Sequence, residues 1–403
     1  MKLSPSLLAL SAACLAAGAQ AQISDDKIKI GVLTDMSGIF SDFSGRGSVE
    51  AAKMAVEKLG GKIAGKPVEV VFADHQNKPD VGLAIARKWF DTEGVDAIVD
   101  IPQTAIALAV VNLAVERNKA VLLSSAASSD LSGSKCTPNH VMWTHDSWAY
   151  TNTVGRQMVK EGGDTWFVLA ADYVFGKVLT NDLTSAVNKA GGKMVGTVAH
   201  PVGTNDFSSF LLQAQSSKAK VIALGNSGAD AANAVKQATE FGLTQGGKQR
   251  LAGLFMTLPD IHSLGTKLTQ GMYLSTTFYW DKNDSTRAFT KQISARNKGI
   301  YPDAPQAGVY SAVLHYAKAI ESEKTDAGDK VIAAMKKIPT DDPLFGPGRV
   351  REDGRKIHPV YLMQVKTPKE STGPYDVYKT VAVTPAEEAF QPLAESACPL
   401  VKK

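Results

Sequence analysis

Short β-branched runs alternate along the chain with longer stretches whose apolar residues recur about every three or four positions. Ile28 to Leu33 reads as a strand, followed by a glycine-bearing loop and a helix from Gly47 to Leu59. Val68 to Ala73 is the next strand. Pro79 to Phe90 reads as a helix, with Val81, Ala84, Ile85 and Trp89 on one face. Strand Ala97 to Val99, helix Ile106 to Val115 and strand Ala120 to Leu123 continue the rhythm. It restarts after Val141-Met142-Trp143 with helix Thr151 to Lys160, strand Trp166 to Ala170, helix Val178 to Ala190 and strand Lys193 to Val198. Helix Phe207 to Gln215, strand Val221 to Leu224, helix Ala231 to Phe241 and strand Leu251 to Leu254 complete this second set. Beyond Gly271 the pattern changes. A long apolar strand from Met272 to Tyr279 precedes helices Thr286 to Asn297 and Tyr310 to Glu321 and a strand from Pro359 to Val365. The tail from Pro368 onward is rich in proline, serine and charge and is expected to pack over the surface.

Strand–helix alternation of this kind builds parallel sheets with helices on both faces, and two sets imply two α/β lobes. Neither lobe carries a phosphate-cradling loop. Gly45-Arg46-Gly47 begins one, but Glu50 stands where the third glycine would be needed. In open α/β sheets a ligand lies at the carboxyl ends of the strands, a rule that selects Ile101 to Thr104 and Ser125 to Ser128. Both loops bear hydroxyls and precede helices, so backbone N–H groups and hydroxyls there suit a carboxylate. The competing reading is that these side chains only cap their helices.

The amino terminus changes the functional picture. Residues 1–21 combine one lysine, an apolar run from Leu7 to Ala17 and Ala19-Gln20-Ala21, the layout of a secretory signal peptide with cleavage after Ala21. The run is too short to span a bilayer. A lipoprotein anchor at Cys14 is the alternative; Ser11 and the apolar surroundings of Cys14 speak against it. The chain is therefore expected to work outside the cytoplasm, where ATP and nicotinamide cofactors are scarce, and no cofactor is expected. The formal charge of +4 falls to +3 without Lys2, too small and too evenly spread for a nucleic-acid surface. The seven histidines show no metal-ligand spacing. Cys136 and Cys398 remain after the leader. An oxidising compartment favours a bridge between them, with two buried thiols as the alternative.

Ile30-Gly31-Val32-Leu33-Thr34-Asp35-Met36-Ser37-Gly38, followed by a small-residue loop and Ser48-Val49-Glu50-Ala51-Ala52, resembles the opening of type I periplasmic binding proteins. It is most similar to the leucine/isoleucine/valine-binding branch that serves ABC importers. Ala73-Asp74, Ser124-Ser125-Ala126-Ala127-Ser128 and Asp172-Tyr173-Val174-Phe175-Gly176 extend the likeness from about Lys27 to Val365. The resemblance implies two doubly wound parallel-sheet lobes joined by three hinge crossings, closing on a ligand. The crossings are expected at Thr144–Ser147, Thr276–Trp280 and Val350–Gly354. Lobe one would comprise 22–145 and 272–352, and lobe two 146–271 and 353–403.

The resemblance also implies a site. Gln103, Thr104, Ser125, Ala126 and Ser128 would hold a carboxylate. Phe43 would cover the ligand body, with Tyr173 and Phe175 as the wall of lobe two. Asn226-Ser227 stands where the family often has an aromatic. His145 and Trp148 follow the first crossing, and Tyr279 ends a crossing strand at the cleft floor. Amino-acid binders of this branch place an acid after the last strand of lobe two, where this chain has Thr257 or Leu258. Asp260 is offset and reads as a helix cap. A buried ammonium without a counter-charge costs several kcal/mol, so a carboxylate with an aromatic or branched apolar body, or a small amide, suits these residues better than an α-amino acid. The implied partner is an ABC permease in the inner membrane, and the chain is expected to act as a monomer. The competing functions are a branched-chain amino acid or amide binder of the same fold, a periplasmic chemoreceptor partner, and a secreted serine hydrolase using Ser128 with His145. The last lacks a strained nucleophile turn and an acid to orient the histidine.

Overall fold

The structure is a computed structural model and describes residues 23–244 and 249–402; the expected signal peptide at 1–21 lies outside them. The first run of elements is β1 (Ile28–Thr34), α1 (Gly45–Lys58), β2 (Lys62–Ile63), β3 (Lys66–Asp74), α2 (Pro79–Asp91), β4 (Ala97–Asp100), α3 (Thr104–Arg117), β5 (Ala120–Leu123) and β6 (His140–Met142). Then come α4 (Ser147–Lys160), β7 (Thr165–Ala171), α5 (Val174–Lys189), β8 (Lys193–His200), α6 (Ser208–Ser216), β9 (Val221–Gly225), α7 (Gly228–Glu240), β10 (Arg250–Gly253), α8 (Leu258–Leu264), α9 (Thr266–Thr269) and β11 (Tyr273–Thr276). The chain continues with α10 (Asp284–Arg296), α11 (Ala304–Glu323), α12 (Gly328–Lys337), β12 (Thr340–Asp342), β13 (Gly346–Val350), β14 (Lys356–Ile357), β15 (Val360–Val365), β16 (Tyr378–Thr384) and α13 (Ala386–Ala389).

Two large sheets result, in the orders β2-β3-β1-β4-β5-β6 and β16-β15-β11-β10-β9-β7-β8. The first is parallel apart from the short β2–β3 hairpin. The second is parallel apart from β15 and β16. Their central strands are apolar on both faces, because helices cover both sides: all four residues of β4 and of β5 are buried, as are all five of β9. Each lobe thus has its own core. One packs α1 and α11 against the first sheet through Val49, Ala55, Val309 and Tyr316. Another packs α6 and α7 against the second through Leu211, Ile222 and Val235. Strand order reverses between β1 and β4 in one lobe and between β7 and β9 in the other. Those are the points where crevices open at the carboxyl ends of the strands.

The chain leaves the first sheet after β6, returns after β11 and leaves again between β14 and β15. Two expected boundaries move. Strand β11 belongs to the second sheet, so 272 does not begin lobe one. The last crossing is His358–Pro359 rather than Val350–Gly354, because β14 pairs with β13 and Arg355 bridges Met142 at the edge of the first sheet. The tail is not merely superficial. Strand β16 adds an antiparallel edge to β15, and the Sγ atoms of Cys136 and Cys398 are bonded, tying the carboxyl terminus back to lobe one.

Candidate functional site

The two strand-order reversals face one another across the cleft. On the lobe-one side the β1–α1 loop is organised by the buried Asp35, whose carboxylate accepts the N–H of Gly38 (2.7 Å) and of Phe40 (3.1 Å). A Cβ on Gly38 would stand 2.6 Å from Asp35 Oδ2, so only glycine allows this close approach. The loop so shaped presents Phe40 and Phe43 to a small, tightly closed cavity, which is also lined by Pro102, Thr104, Ser125, Ala127, Tyr173, Phe175, Ser227 and Phe255. Thr104 opens α3, Tyr173 directly precedes α5 and Ser227 directly precedes α7. Three helix N-termini, each carrying partial positive charge, therefore converge on a cavity with no charged side chain on its wall among the described residues.

Behind this cavity Asp100 and Ile101 adopt φ of +81° and +55° at the end of β4, a conformation that L side chains rarely take and that clusters at functional sites. Asp100 is buried and accepts hydrogen bonds from Ser44 (2.7 Å) and from Ser125. Burial pushes its carboxyl up, against the hydrogen bonds from Ser125 and Ser44 that favour the charge. While Asp100 is ionised, the Ser125 proton is committed to it, so a bound anion must draw on Thr104, Ser227 and backbone N–H groups instead.

Phe255 sits at the centre of the cleft. Its ring centroid lies 6.0 Å from Phe43, 5.2 Å from Phe175, 5.0 Å from His145 and 5.9 Å from Tyr150. It also lines a second, small hinge-side cavity, to which His145, Tyr150, Thr257, Phe278, Asp303 and Tyr378 contribute. His145 is buried, its ring stacked on Tyr150 at 4.8 Å, and neither ring nitrogen has a hydrogen-bond partner among the described residues. Its carbonyl accepts from Arg355 Nη1 at 3.0 Å. Burial, then the Arg355 charge, lowers the imidazole to about 3, so it is neutral at physiological pH. Asp303 caps α11 through the Ala304 N–H and accepts the Leu258 N–H at 2.6 Å from the opposite lobe; burial raises it to about 6.

The lobes are closed on one another. Gly228 of α7, at φ +56°, approaches Ile39 so closely that a Cβ would lie 2.3 Å from its carbonyl oxygen. Ser129 donates to Asp182 Oδ2 across the cleft at 2.8 Å, and Ser147 donates to the same oxygen at 2.5 Å.

Of the residues expected at the site, Phe43, Thr104, Ser125, Tyr173, Phe175 and Ser227 line the first cavity, and His145 and Thr257 the second. The others line neither. Gln103 Oε1 accepts the Ile106 N–H at 2.8 Å, so this side chain is a helix cap. Ala126 packs into the lobe-one core beside Ile101. Ser128 is buried at the start of a short turn, and its hydroxyl has no partner among the described residues. With both His145 nitrogens equally unpaired, there is no Ser128–His145 relay, and the hydrolase reading fails. Trp148 begins α4 half-buried, outside both cavities. Asn226 pairs with His200 Nε2 at 3.1 Å. Tyr279 donates to the Tyr375 carbonyl at 3.1 Å within the lobe-two core. Asp260 forms a capping box with Thr257, accepting its N–H at 2.8 Å and its hydroxyl at 2.7 Å.

Sequence reasoning missed Phe40, Tyr150, Phe255, Asp303 and Tyr378. Phe255 follows β10 and could have been found by the strand-end rule. Asp303 was legible as a cap from Asp303-Ala304-Pro305-Gln306, but not as a cleft residue.

The profile of the periplasmic binding protein family matches residues 27–373. A crystal structure of a periplasmic binding protein from Burkholderia mallei superposes with a TM-score of 0.90 at 44% identity, covering 94% of this chain and 100% of that one. A branched chain amino acid ABC transporter periplasmic ligand-binding protein from Burkholderia xenovorans LB400 gives 0.85 at 39% identity, covering 93% and 100%. A Leu/Ile/Val-binding protein homolog 6 from Brucella melitensis is 27% identical over 86% of this chain and 90% of its own length. The relatives are solute-binding proteins rather than enzymes, and this chain belongs to the periplasmic binding protein family.

Proposed function

We propose that the chain is the periplasmic receptor of an ABC importer and captures a small carboxylate with an aromatic or branched apolar body by hinge closure. The observation that carries this reading is the convergence of α3, α5 and α7 N-termini on an uncharged cavity walled by Phe40, Phe43, Tyr173, Phe175 and Phe255. Helix termini and hydroxyls compensate a carboxylate, while the rings receive the apolar body. The chain would be released by cleavage after Ala21, act as a monomer, and hand its ligand to an inner-membrane permease that recognises the closed pair of lobes.

A branched-chain amino acid is the second reading. Asp303 favours it as the only carboxylate on the hinge-side wall among the described residues. Both Asp303 oxygens already accept backbone N–H groups, and burial resists its charge, which weakens it as an ammonium partner. Mass spectrometry of the small molecules released when the purified protein is denatured tests the assignment. Calorimetry with benzoate-type acids and with leucine or valine then separates the readings. Tight leucine binding without any binding of apolar or aromatic acids would defeat the proposal.

A further inference from the structure

The hinge-side cavity holds polar groups that helix capping and core packing leave unused. Both ring nitrogens of His145 and the hydroxyl of Tyr378 are buried, belong to residues lining this one cavity, and find no partner among the described residues. A buried polar atom left unpaired is costly, so a cleft that assembles these atoms is built for something that pairs with them. Resting on the carboxylate reading above, we infer that the ligand is bifunctional: its far end carries an uncharged hydrogen-bond donor, a hydroxyl or amide N–H, held at the hinge by His145 and Tyr378.

Charge decides the class. A second anion at this end would face the Asp303 carboxyl on the same wall, with the Asp260 carboxyl close behind it on Thr257, another residue of that wall. A cation would find the Arg355 guanidinium behind His145, on whose carbonyl it sits at 3.0 Å, next to an imidazole that burial first, and then Arg355, keeps unprotonated. A neutral imidazole offers one acceptor and one donor, and a phenolic hydroxyl offers both. A neutral group able to donate to the imidazole acceptor and to take a hydrogen bond from Tyr378 satisfies one ring nitrogen and the phenol without bringing a charge against Asp303. Phe255, between the two cavities and 5.0 Å from His145, then packs against the ring or chain that joins the carboxylate to the donor.

The test is isothermal titration calorimetry of the secreted full-length chain with benzoate, 3- and 4-hydroxybenzoate, terephthalate and leucine. At least one hydroxybenzoate should bind about 10–100-fold more tightly than benzoate, and terephthalate more weakly than benzoate. His145→Leu and Tyr378→Phe should each bring the hydroxybenzoate-to-benzoate ratio toward one, with His145→Gln keeping part of the preference. Equal binding of benzoate and both hydroxybenzoates by the wild-type chain overturns the inference while leaving the carboxylate reading intact. So does a preference that survives both substitutions. Tight leucine binding with no aromatic acid bound overturns the carboxylate reading and this inference with it. The wild-type ratio requires no variant, so a substitution that fails to fold does not shield the inference.

Discussion

Breaking the bridge between Cys136 and Cys398 should destabilise the protein by several kcal/mol. Cys136 lies in the loop before β6 of lobe one. Cys398 follows β16 and α13, which belong with lobe two, so the bond is a fourth covalent link between lobes already joined by three crossings. Its sequence separation of 262 makes the closed loop well over half of the 403-residue chain. In the chain-entropy treatment, a loop of about 260 residues removes about 5.5 kcal/mol of conformational freedom from the unfolded ensemble. The folded state should change little on cleavage, because other contacts hold the tail. Phe390 is fully buried, Arg351 donates to the Gln391 carbonyl at 2.8 Å, and Lys189 pairs with Glu395 at 2.8 Å. The surface pair contributes about 0–1 kcal/mol, and residual structure in the reduced unfolded chain lowers the ceiling. The expected loss is about 3–5 kcal/mol. Equilibrium urea unfolding of the Cys136→Ser/Cys398→Ser double variant, compared with the wild type with and without reductant, measures it. Reduced wild type and variant should coincide, both below the oxidised protein. A loss under about 1 kcal/mol would refute the reasoning, since it would mean that the cross-link restrains neither the unfolded chain nor the lobes.

Four further outcomes are expected. Gly228→Ala places a methyl against the Ile39 carbonyl and forces an L residue to φ +56°, so calorimetry should show ligand affinity falling about tenfold or more; an unchanged affinity would detach this contact from closure. Lys356→Met strands the buried Asp342 carboxylate, now paired at 2.5 Å, and should cost about 3–5 kcal/mol by urea unfolding; adding Asp342→Leu should recover much of the loss. His140 is lowered to about 4 by burial, so below its unfolded value near 6.5 the unfolded chain binds the proton first. It therefore withdraws stability as pH falls from 6.5 to 4, and His140→Gln should flatten that part of the pH–stability curve by about 3 kcal/mol. Ligand affinity should rise as pH is lowered from about 7.5 to about 5.5, and Asp182→Asn should blunt the rise; a pH-independent affinity in the wild type would contradict the closure argument below.

Much of the fold was readable because helices on both faces make the central strands uniformly apolar. β4, β5 and β9 announce themselves as runs of Ala, Ile, Val and Leu. The hairpins of β12, β13 and β14 were not readable: Gly346-Pro347-Gly348 carries turn residues inside a strand, and its pairing depends on distant partners. β16 was hidden for the same reason. Its edge position leaves Lys379, Thr380, Val381 and Val383 exposed, without a clean alternation, and only pairing with β15 makes it a strand. At the site, the strand-end rule located the loops but could not decide local competition. Gln103 was equally able to meet a ligand or its own helix, and the helix won at a distance of three residues. Tyr378 and Asp303 reach the hinge-side cavity from elements more than a hundred residues beyond the first crossing, and nothing in their own sequence neighbourhoods marks them as cleft residues.

The contacts that hold the lobes together also carry a cost that a ligand would offset. Closure buries Asp182 against Ser129 and Asp303 against Leu258, and burial raises each carboxyl to about 6 from about 3.8. A rise of about two units opposes the ionised form by about 3 kcal/mol per group. At neutral pH both groups are mostly charged, so closing works against two carboxylates as well as against the unpaired His145 and Tyr378 atoms. Aromatic packing of Phe43 on Phe255 acts in the other direction, at about 0.5–1.5 kcal/mol beyond the area it buries. The empty clamshell is therefore disfavoured in its closed form, and a ligand shifts the balance only through contacts it makes in that form alone. Those contacts are the helix termini at one end and the hinge imidazole at the other. Lowering the pH through about 6 protonates Asp182 and Asp303 and removes this opposition, so closure that buries them is expected to become easier as protons are added. The same two aspartates that lock the lobes thus make the lock conditional.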